Sequence, residues 1–152
     1  MFKKSVIVVD DEEPARVLIK QYLAAYPSFF LACECHNGIE AIQYIDRIEP
    51  DLVFLDVQMP GANGFEVLQR INHVPRIVFT TAYDRYAIKA FEVNAVDYLL
   101  KPYTKDRFDR AMCRIAQSTA PLPDFAMQLS LPKGGYPERL MVEHKQRFLN
   151  IA

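Results

Sequence analysis

The sequence predicts a three-layer α/β domain with a parallel sheet in its middle layer, and three observations carry that reading. Five short apolar runs recur at near-even intervals over the first two-thirds of the chain. Most are β-branched or aromatic and continuous, the pattern of strands covered on both faces rather than on one. The stretches between them place apolar residues at helical spacing.

The elements follow in order. Val6-Ile7-Val8-Val9 is the first strand. Pro14 suits the first turn of the helix behind it, whose apolar face is Ala15, Leu18, Ile19 and Tyr22. Phe30-Leu31-Ala32-Cys33 is the second strand. Asn37-Gly38 opens the second helix, marked by Ile39, Ile42, Ile45 and Ile48. Leu52-Val53-Phe54-Leu55 precedes a short third helix bearing Phe65, Leu68 and Ile71. Ile77-Val78-Phe79 precedes a fourth with Ala87, Ala90 and Phe91. Tyr98-Leu99-Leu100 precedes a fifth with Phe108, Ala111, Met112 and Ile115. Strict β-then-α alternation implies right-handed crossovers and one domain, over residues 1–118.

Composition then shifts. Pro121, Pro123, Pro132, Pro137 and the Gly134-Gly135 pair mark 119–137 as a linker, with one short strand expected near 126–131. Residues 138–152 could add a strand over 140–151, but hold too little apolar material for a core of their own. A net charge of -1 supplies no basic field to attract nucleic acid or an anionic membrane. Apolar runs of about four residues fall far short of the ~20 that a membrane span needs. The opening Met-Phe-Lys-Lys-Ser is followed by too short an apolar stretch for a signal peptide. The odd cysteine count (Cys33, Cys35, Cys113) and scattered histidines fit buried or half-buried thiols in a reducing compartment, not a metal site. The expected location is the cytoplasm.

In an open parallel sheet, ligands bind beyond the carboxyl ends of the strands. There the sequence places Asp10-Asp11-Glu12-Glu13 after the first strand and Asp56 after the third. Thr80-Thr81 follows the fourth and Lys101-Pro102 the fifth. Two carboxylates about 5 Å apart repel by ~3 kcal/mol at an effective dielectric near 20. Three in one pocket raise each other's pKa values or require a cation, and clustered hard oxygens suit Mg²⁺. The plainer alternatives are that Asp10 and Asp11 cap the first helix, that Thr81 is a turn residue and that Lys101 is solvated. Their convergence on one sheet edge favours a joint role. A carboxylate beside a metal can attack phosphorus to give an acyl phosphate, which makes Asp56 the candidate nucleophile. Thr81 offers a hydroxyl and Lys101 a point charge, a set suited to phosphoryl transfer.

At Val8-Val9-Asp10-Asp11, Leu55-Asp56-Val57-Gln58-Met59-Pro60, Thr80-Thr81-Ala82 and Lys101-Pro102, residues 3–118 resemble the receiver domain of two-component response regulators. The resemblance implies a flavodoxin-like (CheY-like) doubly wound sheet of order 2-1-3-4-5. It also implies that Asp56 accepts a phosphoryl group from a sensor histidine kinase. Asp10, Asp11, Asp56 and the Gln58 carbonyl would hold Mg²⁺. Thr81 and Lys101 would contact the phosphoryl group, Tyr98 would be the aromatic switch moving with Thr81, and the bond before Pro102 would be cis. Gln58 and Tyr83 would border the pocket. The face of the fourth helix, fifth strand and fifth helix would switch on phosphorylation, and Tyr86, Lys89, Phe91, Asp97 and Tyr98 form the candidate homodimer surface.

The stretch from Tyr83 to Pro102 is similar to the LytTR-type (LytR/AlgR) subfamily, whose receivers precede a β-rich DNA-binding domain. Glu138-Arg139-Leu140-Met141-Val142-Glu143-His144-Lys145 is similar to the opening of that domain, so 138–152 is expected to be its truncated start. Lys133, Arg139, Lys145 and Arg147 against Glu138 and Glu143 are too few to grip phosphates alone, so DNA binding is expected only through a fuller C-terminal domain. Two other functions compete. A metal-dependent phosphohydrolase with an aspartyl nucleophile would carry it on the first strand with a second Asp two residues on, a spacing absent from Asp10-Asp11-Glu12-Glu13-Pro14. A phosphate-independent binding module would not need every acidic, hydroxyl and lysine position filled. The expectation is therefore a regulatory phosphoacceptor, not an enzyme, assisting at most its own phosphorylation and dephosphorylation.

Overall fold

The apolar runs become five strands because each is short and most are rich in β-branched or aromatic residues, which favour a pleated, covered surface. In a computed structural model, which describes residues 3–117, the order is β1 (Lys4–Val9), α1 (Glu13–Leu23), β2 (Phe29–Cys35), α2 (Gly38–Ile48), β3 (Leu52–Asp56), α3 (Gly64–Arg70), β4 (Arg76–Thr81), a 3-10 turn (Asp84–Tyr86), α4 (Ala87–Glu92), β5 (Asp97–Leu100) and α5 (Lys105–Ala116). The sheet runs β2-β1-β3-β4-β5 with every pairing parallel. This is the flavodoxin-like order expected. The anticipated linker, the strands near 126–131 and 140–151 and the domain start at 138–152 lie outside the described residues.

Side chains alternate across the central strands and build two apolar layers. Val6, Val8, Phe54, Val78 and Leu99 meet Ile19, Leu23, Phe108 and Met112 of α1 and α5. Phe54 and Phe108 stack there with ring centroids 5.4 Å apart. Ile7, Val9, Val53, Leu55 and Phe79 meet Ala41, Ile45, Phe65, Leu68 and Ala90 on the other side. Side-chain caps fix three helix starts. Asn37 accepts from the Glu40 N–H, Thr104 accepts from the Arg107 N–H, and Asn63 with Glu66 closes a capping box.

Three expectations need correction. The second strand is not covered on both faces: β2 is an edge strand, and Phe30 is 44% exposed. Its register jumps from Val6↔Leu31 to Ile7↔Cys33, leaving Ala32 as a bulged residue. On α2, Ile42, Ile45 and Ile48 face the core as expected, but Ile39 does not. Ile39 is 45% exposed, while Gly38, Ala41 and Ile45 are buried. A Cβ on Gly38 would stand 2.0 Å from the Ala62 carbonyl oxygen, so the helix start and the loop after β3 can touch only through glycine. Of the thiols, Cys35 is buried and Cys33 half-buried, but Cys113 is exposed on α5. Among the described residues, no helix is long and apolar enough to cross a membrane.

Candidate functional site

Ending four parallel strands at one edge delivers four short polar segments to one place. Asp10 follows β1 and is fully buried, Asp56 closes β3 and is 5% exposed, and Asp11 is exposed. One oxygen from each of these three carboxylates lies within 4.8 Å of the others. Lys101, just past β5, sets its ammonium 2.8 Å from Asp10 Oδ2, 3.7 Å from Asp56 Oδ2 and 4.0 Å from Glu12 Oε1. One ammonium against three clustered carboxylates leaves the cup negative.

The charges act on one another accordingly. Burial, and then the neighbouring Asp10 charge, push the Asp56 carboxyl up to about 7, with Lys101 and the Gln58 backbone N–H pulling the other way. Burial opposes the charge on Lys101, but the hydrogen bond to Asp10 and the Asp56 charge outweigh it and raise its pKa. Three hard, crowded carboxylates with excess negative charge fit a small divalent cation such as Mg²⁺. The helix-cap alternative is only partly met. Asp10 Oδ1 accepts the Glu12 N–H at 3.0 Å, yet Glu12 is the N-cap of α1 and makes no side-chain cap.

Thr81 is buried at the end of β4, and its hydroxyl accepts the Tyr83 N–H at 3.2 Å. The Tyr98 hydroxyl donates to the Tyr83 carbonyl. The two residues expected to move together thus grip the two backbone groups of one residue, Tyr83. The Lys101 N–H donates to the Thr81 carbonyl at 2.7 Å, and the Lys101–Pro102 bond is cis. The Thr80 hydroxyl is buried on the strand position paired with Asp56 and has no hydrogen-bond partner among the described residues. Gln58 lines an open groove of about 450 Å³ beside Asp11, Met59, Pro60, Asn63 and Tyr86.

The candidate dimer surface needs correction. Phe91 and Tyr98 are each 6% exposed and Asp97 is fully buried. Asp97 is held by Arg107 Nη1 and Nη2 at 2.8 and 2.7 Å and by Arg114 Nη1 at 3.2 Å. Those three residues fasten β5 to the molecule. The outward groups there are Ile88, Lys89 and Leu100. Tyr86, only half-buried, turns to the site: its hydroxyl accepts from Gln58 Nε2 at 2.7 Å and from Arg85 Nη2 at 3.1 Å.

Sequence reasoning missed Tyr86 as a neighbour of the site, along with Arg16, which donates to the Asp10 carbonyl at 2.8 Å. No spacing rule announces either contact, since both join separate elements. Gly64 also matters. A Cβ there would stand 2.7 Å from the Asp56 carbonyl oxygen, so Gly64→Ala should lower stability by about 2 kcal/mol through overpacking. Urea unfolding measures this, and a loss below about 0.5 kcal/mol would mean that the β3–α3 loop yields freely.

Comparison with known proteins agrees with this fold. A family model described as the response regulator receiver domain matches residues 6–112. An uncharacterized response regulatory protein of Yersinia pestis is 47% identical over 114 residues, which is 74% of this chain and 48% of that protein. The transcriptional regulatory protein BtsR of Escherichia coli K12 is 42% identical over 114 residues, with the same two coverages. The chain spans about half the length of these curated relatives. Among solved structures, the response regulatory domain of protein mrkE from Klebsiella pneumoniae is 29% identical with a TM-score of 0.70, covering 75% of this chain and 96% of that one.

Proposed function

The chain belongs to the response regulator receiver family, and from that premise we propose that it is a phosphorylation-driven switch whose acceptor is Asp56. The observation that supports this most is the cup of Asp10, Asp11, Asp56 and Lys101 at one sheet edge. A Asp56 carboxylate oxygen forms a bond to phosphorus as the phosphorus–nitrogen bond of a kinase phosphohistidine breaks, and the imidazole leaves. Asp10, Asp11, Asp56 and the Gln58 carbonyl would hold Mg²⁺, which offsets the crowded negative charge when bound. Lys101 already stands 3.7 Å from Asp56 and needs only a short swing from Asp10 to reach a phosphoryl oxygen. Turning the Thr81 hydroxyl toward that group withdraws its hold on the Tyr83 N–H. Tyr83 in turn holds Tyr98, so the change passes to β5 and α4.

The chain acts on this reading as a regulatory phosphoacceptor in the cytoplasm. Its domain spans residues 1–118, followed by a linker at 119–137 and the start of a LytTR-type DNA-binding domain at 138–152. BtsR, similar over the receiver, is by name a transcriptional regulatory protein. Control of transcription would run through a C-terminal DNA-binding domain. The dimer surface, redrawn from the structure, is the α4–β5–α5 face with Ile88, Lys89 and Leu100 outward.

Beryllofluoride, a phosphoryl mimic, tests the proposal. With Mg²⁺ it should give a bound fluorine-19 signal in the wild type and none in Asp56→Ala. Sedimentation should then show a larger species only with the mimic. A bound signal that survives Asp56→Ala would refute Asp56 as acceptor, and equal sedimentation of the free and bound forms would refute the dimer.

A further inference from the structure

The Asp10–Asp11 peptide is held from α1 and β2 together. The bulge at Ala32 resets the side-chain alternation of β2, so that Glu34 turns toward α1 while Cys33 and Cys35 face α2. On α1, Arg16 Nε donates to Glu34 Oε1 at 3.1 Å and Lys20 Nζ to Glu34 Oε2 at 2.8 Å. The second arm of Arg16, Nη1, donates to the Asp10 carbonyl at 2.8 Å. That carbonyl belongs to the peptide plane joining Asp10 to Asp11, so fixing it fixes the direction in which Asp11 leaves the sheet. The Asp10 N–H is held from the other side by the Cys35 carbonyl at 3.0 Å.

We propose that Arg16, clamped by Glu34, is a positioning residue that orients the Asp10–Asp11 peptide for divalent-cation binding, an inference that rests on reading those carboxylates as Mg²⁺ ligands. Asp10 is buried and otherwise anchored through its side chain by Lys101 and the Glu12 N–H. Asp11 is exposed, so its placement depends on the backbone that Arg16 holds. Glu34 also fixes the guanidinium in place and offsets part of its charge, a charge it shares with Lys20. Lys20 shares Glu34 but does not touch Asp10, and so provides an internal control. Outer groups that orient metal ligands typically change metal affinity by 10–100-fold.

Calorimetric titration of the unphosphorylated protein with MgCl₂ tests this, with melting temperatures in EDTA recorded alongside. Arg16→Met should weaken Mg²⁺ binding by about tenfold or more. Arg16→Lys, able to reach Glu34 or the carbonyl but not both, should fall between. Lys20→Met should bind Mg²⁺ as the wild type does, although it loses a Glu34 contact. Wild-type affinity in Arg16→Met, or equal weakening in Lys20→Met, overturns the proposal and leaves the metal reading standing. Absence of Mg²⁺ binding by the wild type overturns both. If Arg16→Met fails to fold, Arg16→Lys against Lys20→Met decides by the same comparison.

Discussion

Asp56→Asn is expected to melt well above the wild type at pH 8 in the absence of Mg²⁺, by about 2 kcal/mol or on the order of 8 °C. The cause is the crowding of the pocket. Burial first, and the Asp10 charge second, lift Asp56 from an ordinary 3.8 to about 7. The folded protein therefore retains a proton at this carboxyl that the unfolded chain releases. The favourable contribution is complete below about pH 4 and is lost as pH rises through 7, so at pH 8 the wild type carries the full cost of an ionised Asp56. Asparagine removes that charge at every pH but also removes the attraction to Lys101, which holds the gain below the full value of the shift. The melting gap should therefore shrink as pH falls from 8 to 5. A gap independent of pH, or a variant less stable than the wild type at pH 8, would show that charge crowding does not dominate this pocket.

Asp97→Ala is expected to cost about 3 kcal/mol, because it removes a fully buried carboxylate that two half-buried arginines, Arg107 and Arg114, are folded around. Asp97 is fully buried and accepts two hydrogen bonds from Arg107, with Arg114 3.2 Å away. The hydrogen bonds to Asp97 also raise the Arg107 pKa against the opposing effect of burial. The strand it opens is only four residues long and ends one residue before Lys101. Loosening Asp97 should therefore also free the Lys101 ammonium from Asp10. Urea unfolding of Asp97→Ala measures the stability loss, and a loss under about 1 kcal/mol would assign the pair no more than a surface bridge contributes.

The residues that form the cup were legible because each sits directly behind an apolar run. Asp10, Asp56, Thr81 and Lys101 needed only the rule that parallel strands end at a common edge. The order of the strands was not legible from periodicity, since a βα repeat does not say which side the next strand joins; it came from the resemblance. The faults share a physical origin in contacts between elements. Gly38 carries no apolar signal yet takes the buried position, which rotates Ile39 outward. Asp97, a charge between apolar neighbours, looks like a surface residue until α5 brings Arg107 and Arg114 to it. The bulge at Ala32 has no glycine or proline to mark it, so the reach of Glu34 to Arg16 stayed hidden.

The most direct test of the central claim is the intact mass of the protein after incubation with acetyl phosphate and Mg²⁺, read promptly at mildly acidic pH. The wild type should gain the mass of one phosphoryl group, while Asp56→Asn and wild type in EDTA should gain none. An equal gain in Asp56→Asn, or no gain in the wild type with Mg²⁺ present, would contradict the assignment of Asp56 as the acceptor.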